Sequence, residues 1–447
     1  MLWARWFNST SGDFSRTHIR GSWVRLPSVA GRAVSKAQQP AVTSNFNKLW
    51  AGQTVSVLGT ALTTFALPTL AILTLHANAL QVGTLSALAW LPFPILGLLV
   101  GVIADRISRR GIMIVADIVR FAALATVPLS AILGILHIAL LFVVALVTGA
   151  ASVFFDISYQ SYLPVVVSRD QLTDSNVKLE FSNSGARVAG NAIAGLLVQW
   201  IGAALTIGID ALSYLASVVS LAVIRAREVP HTGPALSVRQ VVRDIGEGLR
   251  FVFGSVDLRA ILFATSVVNF GSGVVSAVEL IFAYRSLHLQ PGILGIVIGV
   301  AELGFVGALA ARPIRARLGL RTTLIAMVLI DCVAIACMLF AQLAAPYVIL
   351  FLTLAVRNFS VPVYNVNQVS YRQALADIGM QGRMNATMRT FVWGTLPLGS
   401  FVGGVLATAF GVPVTIAIGS VLPGIAAVFL LPVRERATSA LDPTAHA

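Results

Sequence analysis

Stretches of about 20 apolar residues recur along most of this chain, separated by short polar or Gly/Pro-containing segments. A helix needs roughly that length to cross the ~30 Å hydrocarbon core of a bilayer. Hydrophobic residues make up 57% of the 447 and charged residues only 11%, and the mean hydropathy is +0.86, so lipid is the main solvent. The sequence therefore predicts an all-α membrane protein with twelve transmembrane helices, at 49–75, 82–104, 112–133, 138–155, 175–200, 203–224, 258–284, 293–311, 322–340, 347–371, 385–410 and 412–431.

The formal net charge of +13 comes from 31 Lys and Arg against 18 Asp and Glu, scattered through short loops. This scatter argues against a nucleic-acid-binding domain. If both termini face the cytoplasm, all but four of the basic residues fall in cytoplasmic segments, the exceptions being Arg120, Arg187, Arg285 and Arg357. Because cytoplasmic loops carry the excess of Lys and Arg in membrane proteins, both termini are predicted to be cytoplasmic.

Polar segments divide the chain into five predicted regions. Residues 1–43 are interpreted as a disordered cytoplasmic tail, with an organellar transit peptide or an over-extended start as alternatives. Residues 44–224 and 258–432 hold six predicted helices each. Between them, 225–257 carries apolar residues at helical spacing opposite charged ones, which predicts an amphipathic linker helix on the cytoplasmic membrane surface. Residues 433–447 complete the chain as a cytoplasmic tail.

The two six-helix regions repeat each other at an offset of 209 residues, which pairs Tyr162 with Tyr371 and Asn176 with Asn385. An offset of six helices gives both copies the same orientation in the membrane, so the prediction is two parallel bundles with a substrate site between them. Glycines in the fifth and eleventh helices are expected to allow close helix contacts: Gly185, Gly190, Gly195, Gly394, Gly399 and Gly403.

The second predicted helix ends in a glycine, an acid and a basic cluster, namely Gly101, Asp105, Arg106, Arg109 and Arg110. This pattern resembles motif A of the major facilitator superfamily, although Ser108 stands where the family usually has a second glycine. With the twelve helices and the repeat, the resemblance covers about residues 46–432. It implies the major facilitator fold, transport by alternating access, and a gating role for this loop.

Residues 154–164 resemble the end of the fourth helix in the branch that contains macrolide-efflux and enterobactin-exporter-like proteins. In the fifth helix, Asn191 stands where exporters of the superfamily often have the proline of motif C. By the resemblance, Asp156 lies within reach of Arg109 near the cytoplasm. Two interpretations are open for this pair: a gate latch present only in the outward-open state, or a plain structural salt bridge.

Charged residues inside predicted helices are costly, at least ~2.5 kcal/mol each on insertion scales, so each needs a partner, a cavity or a function. Asp117 and Arg120, three residues apart, are expected to form a structural ion pair. On the fifth helix a polar stripe predicts either a cavity wall, which we favour, or a face toward the neighbouring bundle; it comprises Glu180, Ser184, Arg187 and Asn191.

A second set of charges lies in the carboxyl-terminal half. By the resemblance, the seventh and tenth helices line the central cavity and the eighth flanks it. Glu279 and Glu302 are therefore hypothesised to carry protons, with Arg357 beside them, while Asp331 is assigned a structural role. Asn269 on the seventh helix is placed among the cavity residues.

The function predicted is proton-coupled export of a small amphiphile, such as a drug, antibiotic or siderophore, by a monomer in the bacterial plasma membrane. An importer or facilitator of the same fold is the nearest alternative. A Walker A loop is absent from the sequence, as are GxSG and HExxH motifs, so an ATP-driven pump is excluded and an intramembrane enzyme or a receptor is disfavoured. Neither a metal nor another cofactor is expected.

Overall fold

The computed structural model describes residues 39–104, 107–168, 171–225, 228 and 238–434, and every regular element in those ranges is helical. The predicted tails, 1–43 and 433–447, lie outside them for the most part. Residues 39–43, expected to belong to the first tail, are helical, because α1 begins at Gln39.

Twelve long helical elements, numbered α1 to α12, and a shorter linker helix occupy the described ranges. In the amino-terminal half these are α1 Gln39–Leu73, α2 Ala79–Trp90 continued by Pro92–Ala104, α3 Arg109–Ile132, α4 Ile138–Val166, α5 Leu172–Ile201 and α6 Ala203–Val223. The linker helix is Val238–Gly254. In the carboxyl-terminal half they are α7 Val256–Ile281, α8 Pro291–Ala301 continued by Glu302–Val306 and Gly307–Leu318, α9 Leu320–Cys337, α10 Pro346–Leu375, α11 Ile378–Phe410 and α12 Val412–Leu430.

By length and composition, eleven of the described helices can cross a membrane. Of the twelve long elements, the one that misses this criterion is α5, whose 30 residues include Lys178, Glu180 and Arg187. It packs against α8 of the other half. Protein contact on that face explains how a helix this polar is kept from lipid.

The two halves pack together most extensively along two helix pairs, α5 with α8 and α2 with α11. Under the 209-residue offset α2 corresponds to α8 and α5 to α11, so each interface is the repeat of the other. A Cβ on Gly195 would lie 2.8 Å from the Cα of Gly295, and one on its repeat mate Gly404 would lie 3.2 Å from the Cα of Gly83. Only glycine at these positions lets the backbones approach so closely.

The two ends of the molecule differ in how the halves are joined. We call the end at which α1 begins and α12 ends the terminal face, and the opposite end the far face. Among the described residues, the buried apolar cluster near the far face contains members of both halves, such as Leu70, Ala77, Phe282 and Leu294. Three further clusters lie toward the terminal face, and each draws its buried members from one half, with the linker helix joining one of them.

Polar contacts reinforce the junction at the far face. The guanidinium of Arg285 donates to the carbonyl oxygen of Ala77 at 2.7 Å, and the hydroxyls of Thr69 and Tyr284 are 3.1 Å apart. Each contact links the two halves. In this conformation the halves are therefore held together at the far face and have separate cores at the terminal face.

Candidate functional site

A cavity of about 310 Å³ lies between the halves, on the terminal-face side of the close helix contacts. It is bounded by α2 and α4 from one half and by α11 from the other. Its wall consists of Phe93, Pro94, Gly97, Val153, Asp156, Ile157, Gln160, Ser161, Asn385, Ala386, Arg389, Thr390 and Trp393. Mostly apolar walls with a few convergent polar groups are typical of a small-molecule site.

Aromatic rings from both halves meet at this cavity. The ring centroids of Trp90 and Phe93 are 5.5 Å apart, those of Phe93 and Trp393 are 5.6 Å apart, and those of Trp90 and Trp393 are 6.0 Å apart. Tilted and edge-on pairs at these distances are the favourable arrangements of aromatic side chains. The cluster gives the cavity a rigid apolar surface to which each half contributes.

One acid and one base face the cavity from opposite halves. Asp156 on α4 is half-buried, and the cations whose charges act on its carboxylate are Arg120 and Arg389. Arg389 on α11 is exposed and lies over the ring of Trp393, 4.9 Å from its centroid. The wall therefore offers aromatic faces, a carboxylate and a guanidinium, which suits an amphiphilic molecule.

Of the gating motif, Asp105 and Arg106 lie outside the described residues, and Gly101 lies within the second segment of α2. No ion pair joins the two described residues Asp156 and Arg109. The latch hypothesis assigns that pair to the opposite state of the transporter, so it stays a prediction.

Glu228 has a role at this loop that sequence reasoning missed. Its carboxylate accepts hydrogen bonds from the hydroxyl of Ser108 at 3.0 Å and from the backbone N–H groups of Arg109 at 2.8 Å and Arg110 at 2.9 Å. A carboxylate at a helix N-terminus satisfies free N–H groups and complements the helix dipole. The sequence feature that could have indicated this role is the isolated position of Glu228 in the otherwise basic segment after α6.

In the carboxyl-terminal half, Arg357 on α10 bridges two carboxylates. Its Nη1 is 3.6 Å from Oε2 of Glu279 on α7, and its Nε donates to Oδ1 of Asp331 on α9 at 3.1 Å. The side chain of Asp331 is 2% exposed and that of Glu279 is 20% exposed. The structure thus brings Glu279 and Arg357 together and adds Asp331 to them.

Glu302 pairs with a different arginine. Its Oε2 is 3.8 Å from Nε of Arg187 on α5, so this ion pair crosses between the halves. Arg187 is also 3.8 Å from a carboxylate oxygen of Glu180 and donates to the hydroxyl of Ser184 at 3.3 Å. Through Arg187 the polar stripe of α5 contacts α8 of the other half, whereas the side chain of Glu180 is 69% exposed. A cavity-wall role for the stripe stays a prediction.

The remaining predicted cavity residues bond to the backbone. The amide of Asn191 donates to the carbonyl oxygen of Arg187 at 3.0 Å, and that of Asn269 on α7 donates to the carbonyl oxygen of Val392 on α11 at 3.0 Å. Asn269 also lines a small cavity of about 40 Å³ inside the carboxyl-terminal half, together with Asp331. Neither asparagine lines the larger cavity, and a role in the substrate path stays a prediction for both.

The predicted ion pair of Asp117 and Arg120 is confirmed, with 3.3 Å between Nη1 and Oδ1 and both side chains buried. The guanidinium also lies 4.6 Å from the ring centroid of Phe155 and 5.2 Å from that of Tyr214. Packing between aromatic rings stabilises a desolvated cation.

Sequence reasoning missed most of the cavity wall. Trp393 and Arg389 are four residues apart on α11, a spacing that puts them on one helix face. This spacing was the sequence feature that could have indicated a site on α11. Only the fold shows that Phe93 and Trp90 of the other half lie opposite Trp393. Among the described residues, no group of three or more His, Cys, Asp or Glu side chains could hold a metal ion.

Comparison with known families gives a match over nearly the whole chain. Residues 35–447 match the family described as transmembrane secretion effector. Among curated relatives, the chain is 25% identical over 393 residues to the multidrug efflux pump Tap of Mycolicibacterium fortuitum, covering 84% of this chain and 93% of that protein. It is 24% identical over 264 residues to macrolide efflux protein A of Streptococcus pyogenes, covering 59% of this chain and 64% of that protein.

Solved structures with the same fold are also transporters. A bacterial homologue of the iron transporter ferroportin in an inward-facing state has a TM-score of 0.70 at 15% identity, covering 88% of this chain and 99% of that one. The nucleoside transporter NupG has a TM-score of 0.66 at 12% identity, covering 87% of this chain and 98% of that one. The helical architecture, the internal repeat and the family match agree: the chain is a multi-pass integral membrane transporter of small molecules that belongs to the transmembrane secretion effector family of the major facilitator superfamily.

Proposed function

We propose that this transporter exports small amphiphilic molecules across the bacterial plasma membrane in exchange for protons. The observation that carries the proposal is the position of the cavity. It lies between two halves that share an apolar core near the far face and have separate cores near the terminal face. Rocking of one half against the other about such a site is how parallel-repeat transporters alternate access.

The charge distribution supports an exporter orientation. In the sequence, almost all loop Lys and Arg residues belong to the terminal segments or to the loops after even-numbered helices, and loops rich in them are cytoplasmic in membrane proteins. The described ends of those helices lie at the terminal face. Both termini would then be cytoplasmic, and the cavity would accept its substrate from the cytoplasm or the inner leaflet. The described conformation is the loading state of an exporter.

The cavity wall and the named relatives support an amphiphilic substrate. Phe93 and Trp393 offer aromatic surface, with Trp90 packed against both rings, while Asp156 and Arg389 offer one charge of each sign. The relatives at about a quarter identity are named as multidrug and macrolide efflux proteins. A monomer suffices, because both halves of the site come from one chain.

Carboxylates within the membrane support protons as the coupling ion. Glu279 and Glu302 each face an arginine, Arg357 and Arg187 respectively, across a helix interface. Protonation of either acid would remove its ion pair and so change which helix contacts are favourable. For Glu302 the broken pair would be one that links the halves.

Ethidium accumulation in cells tests this function. Cells that make the protein are expected to accumulate less dye than cells without it, and an uncoupler should abolish the difference. The double variant Glu279→Gln, Glu302→Gln should lose uncoupler-sensitive efflux, whereas Asp174→Asn, an exposed acid at the start of α5, should keep it.

Two results would contradict the proposal. Intact uncoupler-sensitive efflux in the double variant would remove the two glutamates from proton coupling. Greater dye accumulation or greater drug sensitivity in cells that make the wild-type protein would favour an importer.

A further inference from the structure

Asp210 on α6 is a buried acid that the transport scheme above does not use. Its side chain is fully buried, and Oδ1 accepts a hydrogen bond from the hydroxyl of Ser213 at 3.0 Å. Oδ2 is also buried and makes no hydrogen bond of normal geometry among the described residues, although the hydroxyl of Thr63 on α1 lies beside the carboxyl group. The carboxyl group packs against α1 at Gly59, where any Cβ would collide with Asp210 Oδ1 and with Ser213. Glycine at residue 59 therefore leaves the space that this acid occupies.

No cation is paired with Asp210 in the described part of the chain. The guanidinium whose charge acts on it is that of Arg120, which is already 3.3 Å from Asp117. The same guanidinium acts on Asp156 at the cavity wall. The charge of one buried arginine thus acts on three acids, Asp117 on α3, Asp156 on α4 and Asp210 on α6. A buried carboxylate without its own cation is far more costly than the neutral acid.

We propose that Asp210 holds a proton in this conformation and that this residue is the proton-binding acid of the amino-terminal half during transport, a role that rests on the proton coupling proposed above. The charged and titratable groups that act on it are Asp117 and Arg120 on α3, the helix packed against it, and Tyr214 on α6 itself. From α1 come the hydroxyls of Thr60 and Thr63.

Loss of the proton would change how α3 and α6 are held together. When the O–H bond of Asp210 breaks, the proton passes to water on the terminal-face side, the bond electrons stay on the carboxylate, and α6 carries a negative charge. Arg120 then faces two competing carboxylates, Asp117 on its own helix and Asp210 on the helix packed against it. Because Arg120 also acts on Asp156, this rearrangement reaches the cavity wall, where substrate binds. Proton release and substrate binding would thereby be linked within one half.

Infrared spectroscopy of the purified protein tests the protonation directly and needs no transport. At neutral pH the wild-type protein should show a C=O stretch from a protonated carboxyl group that Asp210→Asn removes. Asp174→Asn, the exposed control, should retain it. Because Asn is a neutral isostere of the protonated acid, the Asp210 variant should also keep the wild-type melting temperature. An unchanged carboxyl signal in Asp210→Asn would show that Asp210 is ionised and would overturn the proposal.

Proteoliposome assays separate this proposal from the proposed function. Asp210→Asn should lose substrate accumulation driven by a proton gradient and retain substrate movement down the substrate's own gradient. Full proton-driven accumulation by the variant would remove Asp210 from the cycle. If substrate accumulation by the wild-type protein does not depend on the proton gradient, the proton coupling proposed for the transporter is wrong, and so is the role of Asp210 in the transport cycle. The infrared measurement would still decide whether Asp210 is protonated.

Discussion

Each half of this transporter contains a largely buried arginine that lies among several acids. Arg357 contacts Glu279 and Asp331 in one half, and Arg120 contacts Asp117 near Asp210 in the other. The two arginines are not repeat mates, because the offset of 209 pairs Arg357 with Thr148. The halves therefore carry similar charge arrangements at different positions. The proposal for Asp210 adds an acid of the amino-terminal half to Glu279 and Glu302, the coupling candidates that the sequence analysis placed in the carboxyl-terminal half.

Replacing Arg357 tests the importance of its bridge for stability. Arg357→Ala leaves Glu279 and the fully desolvated Asp331 without a cation, and loss of one partner from a buried pair costs about 3 kcal/mol. We expect a lower melting temperature of the detergent-purified protein, measured by tryptophan fluorescence. Arg317→Ala, which removes an exposed arginine, should leave it unchanged. Equal melting temperatures for the two variants would show that the bridge contributes no stability.

At this scale the sequence predicted which residues are unusual but not how they pair. An acid or base in an apolar stretch is conspicuous, so Glu279, Glu302 and Arg357 could be selected directly. Their partners depend on the rotation of each helix about its axis and on which helices touch. For that reason Glu302 contacts Arg187 and not Arg357. Asp331, to which the sequence analysis assigned a structural role, contacts Arg357. The i, i+3 pair of Asp117 and Arg120 was predictable because one helix determines it.

At the scale of helices, the closest contacts between the halves depend on glycine. Gly195 and Gly404 both lie where backbones of opposite halves nearly touch. Of the glycines expected to make close contacts, Gly190, Gly195, Gly399 and Gly403 do so. Gly185 does not, since a Cβ there would have no neighbour within 4 Å. Length and hydropathy predicted the helices well, but close approach depends on which face meets another helix.

A matched pair of substitutions on α5 tests the glycine contact. Gly195→Ala puts a methyl group 2.8 Å from the Cα of Gly295, so α5 and α8 must separate, with an expected cost of about 1–3 kcal/mol. Gly185→Ala adds the same methyl group to the same helix in open space. We expect lower stability and weaker efflux for Gly195→Ala only. Equal damage from both substitutions would mean that the loss comes from the helix itself and not from the contact between halves.

At the scale of the whole molecule, the repeat predicted two parallel bundles, and the structure adds the state in which they are found. The halves share buried apolar residues near the far face, whereas the cavity with Asp156 and Arg389 lies toward the terminal face. Hydropathy cannot predict which face of the transporter is closed, because the same twelve helices form both states and differ only by a rocking movement of the halves. For the same reason the sequence could not show whether Asp156 meets Arg109 or the cavity.

Distances between spin labels across the two faces test alternating access most directly. One pair, on Gln160 of α4 and Asn385 of α11, spans the cavity at the terminal face, and the other, on Thr74 and Gln290, spans the far face. Substrate binding at a pH high enough to release the transported protons should shift the transporter toward its opposite state, and so shorten the first distance and lengthen the second. Two distances that stay fixed, or that change in the same direction, would contradict rocking of the halves about this cavity.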